Sequence, residues 1–409
     1  MRSIRLLTGA VVLALIASTL SAPAYAADPV AADSGQDEIQ AAILAYRTVY
    51  PTISDGAARL AASQQDARKQ LHEQLAKEPQ TYGGGHFDPL SGVTHVALTD
   101  QASADRAATV GRSLGLTVQA RVVERSYDEL ERLADTVRAG ADQLAVLAKG
   151  RVGVEVESNK VTVALTAQEE ASLPKGAVPS WATIVPASVD EVEEDVCTSR
   201  ANCNDNLRSG LVIRRSGGGC SLGFTARSST GTRWALTSGH CGGGSVTNWS
   251  TAGTPIGPMH PVNALNSGAV DAGAIQVTNA GYAADTLGRI AISASTWVPV
   301  KGRAHTMSFI WVGDVVCVSA RYAAPATFGN PCGVITKTSD ASQRGLVRYE
   351  GYDPCPGDSG GGVYWLPSSG KRYAFGLHSR SVSGCNVRPG KAWFSALPRF
   401  WPGLAYDLA

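Results

Sequence analysis

Beyond residue 197 the chain is a succession of short apolar runs, each bounded by Gly, Ser, Asn or Pro: "GLVIRR", "CSLGFTAR", "RWALTSG", "AGAIQV", "LGRIAIS", "WVPVKG", "GDVVCVSA", "GVITKT", "LVRYEG", "GGVYWLP" and "RYAFGLHS". Runs this short, separated by turn formers, predict an all-β unit of sandwich or barrel type. Only the end, "FSALPRFWPGLAYDLA", suggests a short helix. The pattern before residue 197 is different. Glu38 to about Gln80 has helical periodicity, interrupted near Pro51, and 103–113 and 127–149 read the same way. Between them "TVQARVVE" (117–124) alternates as a strand.

An internal echo runs through this N-terminal half. "FDPLSGVTHVALT" (87–99) and "VEVESNKVTVALT" (154–166) end on the same Val-Ala-Leu-Thr, 67 residues apart, and each reads as a hairpin turning at Ser-Gly or Ser-Asn. A duplicated α+β module is the expectation. "VDEVEEDV" (189–196) then has no core-forming pattern and reads as an exposed, cleavable acidic linker. At the start, Arg2 and Arg5 precede an apolar run to about Leu20 and the small-x-small end Ala24-Tyr25-Ala26. Residues 1–26 therefore read as a secretory signal peptide. No later apolar stretch approaches the ~20 residues that span a bilayer, so a secreted, extracellular product with no membrane partner is expected.

Composition sharpens the boundary. All eight cysteines, Cys197, Cys203, Cys220, Cys241, Cys317, Cys332, Cys355 and Cys385, lie in the β half, and an even count in an exported chain reads as a disulfide framework. Zinc ligand spacings such as C-x-x-C are absent, so no metal or other cofactor is expected. Residues 27–196 carry 26 acidic and 15 basic side chains, about −11, and 197–409 carry 9 and 19, about +10. Two oppositely charged halves should attract each other. The basic excess is scattered, without a basic-aromatic stripe, which argues against nucleic acid as partner.

The chemistry centres on "PCPGDSGGGV", where Ser359 stands between glycines. A serine hydroxyl needs a base to become a nucleophile. His240, in "WALTSGHCGG", stands where a strand ends beside a half-cystine, and Asp271, in "VDAGAI", opens an apolar strand where a buried carboxylate wants a partner. Gly357-Asp358-Ser359-Gly360-Gly361 also satisfies the G-x-S-x-G elbow. That fold runs nucleophile, acid, histidine; here the order is His240, Asp271, Ser359, so the match is accidental.

"LTSGHC", "VDAGAI" and "GDSGGG" resemble the three signatures of chymotrypsin-family serine proteases, and "GGCSLGF" (218–224) is similar to the secreted bacterial branch of streptogrisins and α-lytic protease. The resemblance runs from about Leu207 to the end. It implies a protease domain (197–409) of two six-stranded antiparallel β-barrels with the site between them, and a His240–Asp271–Ser359 triad. It also implies an oxyanion hole from the N–H groups of Gly357 and Ser359, and disulfides Cys220–Cys241, Cys317–Cys332 and Cys355–Cys385. Cys197 and Cys203 remain as a pair by elimination. "TYGGGHFDPLSGVTHVALT" and its echo resemble the pro-region of the same branch, so 27–188 is expected to be an α+β pro-region, a folding assistant and inhibitor of its own enzyme. No Ile-Val-Gly-Gly start is present, so a side chain, with an arginine as one candidate, is expected to hold Asp358.

The implied function is hydrolysis of polypeptide substrates by a secreted serine endopeptidase made as a zymogen. A catalytically dead homologue acting as a binding protein is the other class; no triad member is missing. Specificity signals conflict. Asp353, six residues before Ser359, has the spacing of the acid in a trypsin-like pocket and implies cleavage after Arg or Lys. Ser379, six before Cys385, marks the substrate-binding strand; His378 then falls where glutamate-specific relatives carry a histidine, and Ser381 offers a hydroxyl suited to a carboxylate. The balance tips toward acidic side chains.

Overall fold

The computed structural model describes residues 34–187, 192–194, 207–283, 288–291, 297–321, 330–352, 354–366, 372–382, 390–401 and 404–406. The N-terminal half opens with helices Ser34–Val49, Asp55–Ser63 and Gln65–Leu75. Strands Tyr82–Asp88, Val93–Leu98 and Thr117–Val122 follow as a sheet, antiparallel across the hairpin and then parallel through helix Gln101–Ser113. Strands Val152–Glu155, Lys160–Leu165 and Ala182–Pro186 repeat this order through the short helix Ala167–Ala171. In both crossovers a side-chain oxygen caps the helix start: Asp100 accepts from the Ser103 N–H, and Thr166 forms a reciprocal capping box with Glu169. The two hairpins turn through Gly92 at φ 70° and Asn159 at φ 53°, left-handed positions where Gly and Asn sit most easily. Helix Tyr127–Ala139 lies between the two modules.

Each of the eleven apolar runs of the C-terminal half contains residues of a strand. Strands Val212–Arg215, Gly218–Ser221, Thr247–Thr251 and Thr254–Met259 form one sheet; Thr225–Arg227, Arg233–Thr237, Ala264–Ser267, Val270–Gln276 and Ala405–Tyr406 form another. The two sheets close over a shared core of Ile213, Trp249, Ile256, Ala235 and Ile275. The second unit is a closed ring of six strands, Arg372–Val382, Gly362–Trp365, Val315–Ser319, Cys332–Asp340, Leu346–Glu350 and Lys391–Ala396, with the last pairing back onto the first. Val316, Val318, Ile335, Val347, Val363, Phe375 and Phe394 fill it, each contributing about 2 kcal/mol of apolar burial.

One expectation needs correcting. Among its described residues the C-terminal segment forms no α-helix: strand Lys391–Ala396 runs into a single 3₁₀ turn, Leu397–Arg399, and Ala405–Tyr406 pairs with Thr225–Arg227. Pro402 lacks the N–H that a helix starting at Leu397 would need to bond back to the Pro398 carbonyl, so the sequence itself stops a longer helical ladder.

The N-terminal half packs directly on the closed ring. Gln65 bridges two barrel strands, its amide donating to the Leu366 carbonyl at 2.7 Å and its carbonyl accepting from the Val315 N–H at 3.0 Å. Tyr46 donates to the Gly313 carbonyl (2.8 Å) and Phe87 N–H to the Val312 carbonyl (2.8 Å). Charge contributes through Arg399, which meets Glu131 at 2.8 Å. Most of the contact is nevertheless apolar: Tyr127, Leu130, Val152 and Val163 share a core with Val316, Ile335 and Phe375.

The acidic stretch 189–196 is described only at 192–194. There the backbone is a strand, antiparallel to Arg372–Val382, with Glu194 opposite Arg380, Glu193 opposite Ser381 and Val192 opposite Val382.

Candidate active site

Strand Arg233–Thr237 ends in buried Thr237 and Ser238, and the chain then tightens into a 3₁₀ turn over Gly239–Cys241. Gly239 is forced by space: a Cβ there would lie 1.9 Å from the Leu265 carbonyl oxygen. The turn presents His240 to strand Val270–Gln276, and the Cys220–Cys241 disulfide ties its far side to strand Gly218–Ser221. Asp271 is fully buried. Its Oδ1 accepts from the His240 backbone N–H (2.9 Å) and its Oδ2 lies 2.8 Å from His240 Nδ1. His240 Nε2 lies 2.9 Å from Ser359 Oγ. Residues 119 positions apart thus meet in one unbroken hydrogen-bonded line.

Burial by itself would push the Asp271 carboxyl up. His240, the hydroxyl of Ser379, which donates to Oδ2, and the guanidinium of Arg380 outweigh it and hold the carboxyl well below the usual carboxylate range. The Asp271 N–H donates to Ser395 Oγ at 3.0 Å.

Ser359 is fully buried on a turn flanked by left-handed Gly357 (φ 103°) and Gly360 (φ 85°). The amides of Asp358, Gly360 and Gly361 donate to the carbonyls of Cys355, His378 and Asp358. Those of Gly357 and Ser359 reach no backbone acceptor among the described residues. Asp358 is fully buried; it accepts from the Tyr352 hydroxyl and from the Cys355 N–H at 3.0 Å. Tyr352 went unrecognised in the sequence, where nothing marks it apart from other aromatics. Ser221 is a second omission. Its Oγ donates to the Gly357 carbonyl (2.8 Å) and its N–H to the Ser359 carbonyl (2.7 Å), fixing the turn from the other barrel.

His378 and Ser379 are fully buried and Ser381 nearly so. His378 Nδ1 lies 2.7 Å from the Tyr349 hydroxyl, and its ring stands edge-on to Tyr349 and Tyr352. Its carbonyl accepts from Ser238 Oγ at 2.6 Å. The Ser379 carbonyl accepts from Ser359 Oγ at 3.3 Å, so the strand also touches Ser359. Asp353 lies outside the described residues, as do Cys197, Cys203 and Cys385. Cys317–Cys332 is bridged, and Cys355 is also disulfide-bonded. Among the described residues, one grouping has three metal-capable side chains close together, Cys220, His240 and Cys241, and its two sulfurs are already joined to each other.

No protein-family profile matches the chain. Serine protease 2 of Streptomyces fradiae is 32% identical over 199 residues, 44% of this chain and 98% of that protein. The chain belongs to the chymotrypsin-like bacterial serine proteases. Solved structures similar to this protease include a Nocardiopsis protease, NAPase (23% identity, 49% of this chain and 99% of that one, TM-score 0.38). Another is Thermobifida fusca protease A (25% identity, 50% and 100%, TM-score 0.36). As a member of this family the protein is a serine-type endopeptidase acting on polypeptides. No helix among the described residues is long and apolar enough to cross a membrane.

Proposed function

We propose that the protein is a secreted endopeptidase, made as a precursor, in which Ser359 attacks the peptide carbonyl to form an acyl-enzyme. His240 takes the hydroxyl proton through Nε2 and passes it to the leaving amine. Asp271 holds the Nδ1–H tautomer and stabilises the imidazolium. The observation that carries this reading is the line Asp271–His240–Ser359, with links of 2.8 and 2.9 Å. The carbonyl oxygen becomes an oxyanion facing the N–H groups of Gly357 and Ser359, each such donor supplying about 3 kcal/mol to the transition state. Water then releases the acyl group with the proton path reversed.

Residues 27–188 act as pro-region in this reading, 189–196 as processing segment and 197–409 as protease domain. The strand at 192–194 supports it: its backbone adds antiparallel to Arg380–Val382, as an extended peptide adds to a sheet edge, and runs toward Ser379 and Ser359. The enzyme then cuts its own chain within the acidic Glu193-Glu194-Asp195 run. Such a cut fits a preference for acidic side chains before the scissile bond, with buried His378 and Ser381 as the groups that read them. A trypsin-like preference through Asp353 is the competing reading. Two measurements test the proposal. Secretion of the full chain with Ser359→Ala should yield only uncut protein, and N-terminal sequencing of the wild-type product should begin within or just after the acidic run. Hydrolysis of matched peptides ending in Glu, Lys or Phe should favour Glu; a preference for Lys selects Asp353, and a preference for Phe removes both.

A further inference from the structure

We infer that Arg380 is a positioning residue for the reaction, a buried cation that tightens the Asp271 carboxylate and lowers the pH at which His240 becomes a free base. The inference rests on the triad reading above. Arg380 lies on strand Arg372–Val382 directly after Ser379 and is only 9% exposed. Its Nη2 is 3.8 Å from Asp271 Oδ2, and its Nε donates to Ser379 Oγ at 3.2 Å. Ser379 Oγ in turn donates to the same Oδ2. One guanidinium therefore acts on the carboxylate twice, directly by charge and through the hydroxyl it orients.

The arrangement puts three charges in sequence: guanidinium, carboxylate, and the imidazolium that forms on His240 at 2.8 Å. The charged side chains that act on Asp271 are His240 and Arg380. Among the described residues the neutral contacts of Asp271 and His240 are Ser379 on the carboxylate, the Ser395 hydroxyl on the Asp271 N–H, and Ser359 and the Cys241 sulfur, 3.9 Å from Nε2, on the imidazole. With Asp271 alone, an imidazolium in this buried site would be held by a full unshared negative charge and would deprotonate late. Arg380 takes up part of that charge, so the free imidazole, the form that can accept the Ser359 proton, persists to lower pH. A second cation sharing the carboxylate in a partly polar, partly solvent-screened interior moves such an equilibrium by about one pH unit. The cost is a less stabilised imidazolium in the transition state. What is gained is a working base in more acidic surroundings.

The test compares pH profiles of kcat/KM for enzyme matured from the full chain as wild type, Arg380→Gln, Arg380→Met and Arg380→Lys. Removing the charge should move the acid limb upward by about one unit in both neutral variants, and Arg380→Lys should keep it within a few tenths of wild type. Neutral variants with lowered kcat/KM but an unmoved acid limb would mean that Arg380 only packs, and would overturn the inference. An equal shift in Arg380→Lys would overturn it too, because charge would then not be the cause. If neither neutral variant folds, rates of organophosphate labelling of Arg380→Lys against wild type across pH still decide. A limb displaced by a full unit refutes, and a coincident limb supports. Failure of the triad reading shows separately, as activity surviving in Ser359→Ala.

Discussion

Gly360→Ala places a methyl group where the turn carrying Ser359 touches the first barrel. The new Cβ would stand 1.9 Å from Thr237 Oγ1, 2.5 Å from the Ser221 carbonyl oxygen and 2.9 Å from the Ser238 nitrogen. None of these can step aside cheaply. The Thr237 hydroxyl is held on that same Ser221 carbonyl at 2.8 Å, and the other two are backbone. From behind, the Gly360 N–H is bonded to the His378 carbonyl at 2.7 Å, so retreat breaks a strand contact. A residue with a Cβ at φ 85° adds its own strain, about 1 kcal/mol. Overpacking adds roughly 1–3 kcal/mol. The sum, about 2–4 kcal/mol, corresponds to a fall of roughly 5–15 °C in Tm for a domain of this size. Because the strain sits next to Ser359, the proposed nucleophile, that serine should shift against His240, and a displacement near 1 Å costs about 100-fold in rate. The assays are thermal unfolding of the inhibitor-blocked mature enzyme and kcat/KM on the preferred peptide. A variant within twofold of wild-type kcat/KM and with an unchanged Tm would show that the turn is not held against the barrel as described.

Other outcomes follow from the same contacts. Asp271→Asn should preserve KM but lower kcat by roughly 10⁴, since an amide no longer selects the Nδ1–H tautomer; steady-state kinetics at pH 7 check it. Asp271, whose folded pKa is depressed, should contribute stability above about pH 4 that disappears only as the pH falls through its lower folded value; acid unfolding of wild type and Asp271→Asn should converge at the acid end. Asp314 is buried beneath Arg68 and Lys69, and burial outweighs both cations to push its carboxyl up to about 6. Its contribution is therefore fully present below about pH 4 and lost as the pH rises through 6. Denaturant titration of Ser359→Ala full chain should show this slope, and the added Asp314→Asn should flatten it. Gln65→Ala leaves the Leu366 carbonyl and Val315 N–H unsatisfied where the N-terminal half meets the ring, a cost of about 1–3 kcal/mol. Inhibition of the mature enzyme by separately added residues 27–188 should weaken about ten-fold or more.

Much of this protein is written locally. The apolar runs mark strands because a short apolar segment between turn formers is buried on both faces, as Val315–Ser319 and Gly362–Trp365 are. "LTSGHC" and "GDSGGG" carry His240 and Ser359 on turns and "VDAGAI" carries Asp271 on a strand, with glycines forced by close backbone approach. The repeated Val-Ala-Leu-Thr likewise ends the middle strand of two sheets with the same order. Strands broken by polar residues, Gly or Pro, such as Thr247–Thr251 and Thr254–Met259, gave no such signal; they form by pairing with each other and with Val212–Arg215 and by burying Trp249 and Ile256. The chain end read as helix became strand and turn for the same reason: Lys391–Ala396 closes the six-stranded ring, a long-range pairing that outweighs local preference. Tertiary structure alone decided that Tyr352 holds Asp358, that Ser221 fixes the Ser359 turn, that Arg380 reaches Asp271 and that the strand at 192–194 pairs with Arg380–Val382. These partners are up to 190 residues apart, between Val192 and Val382. Sheet register and barrel closure, not residue type, bring such groups within the 3–4 Å at which hydrogen bonds and charges act.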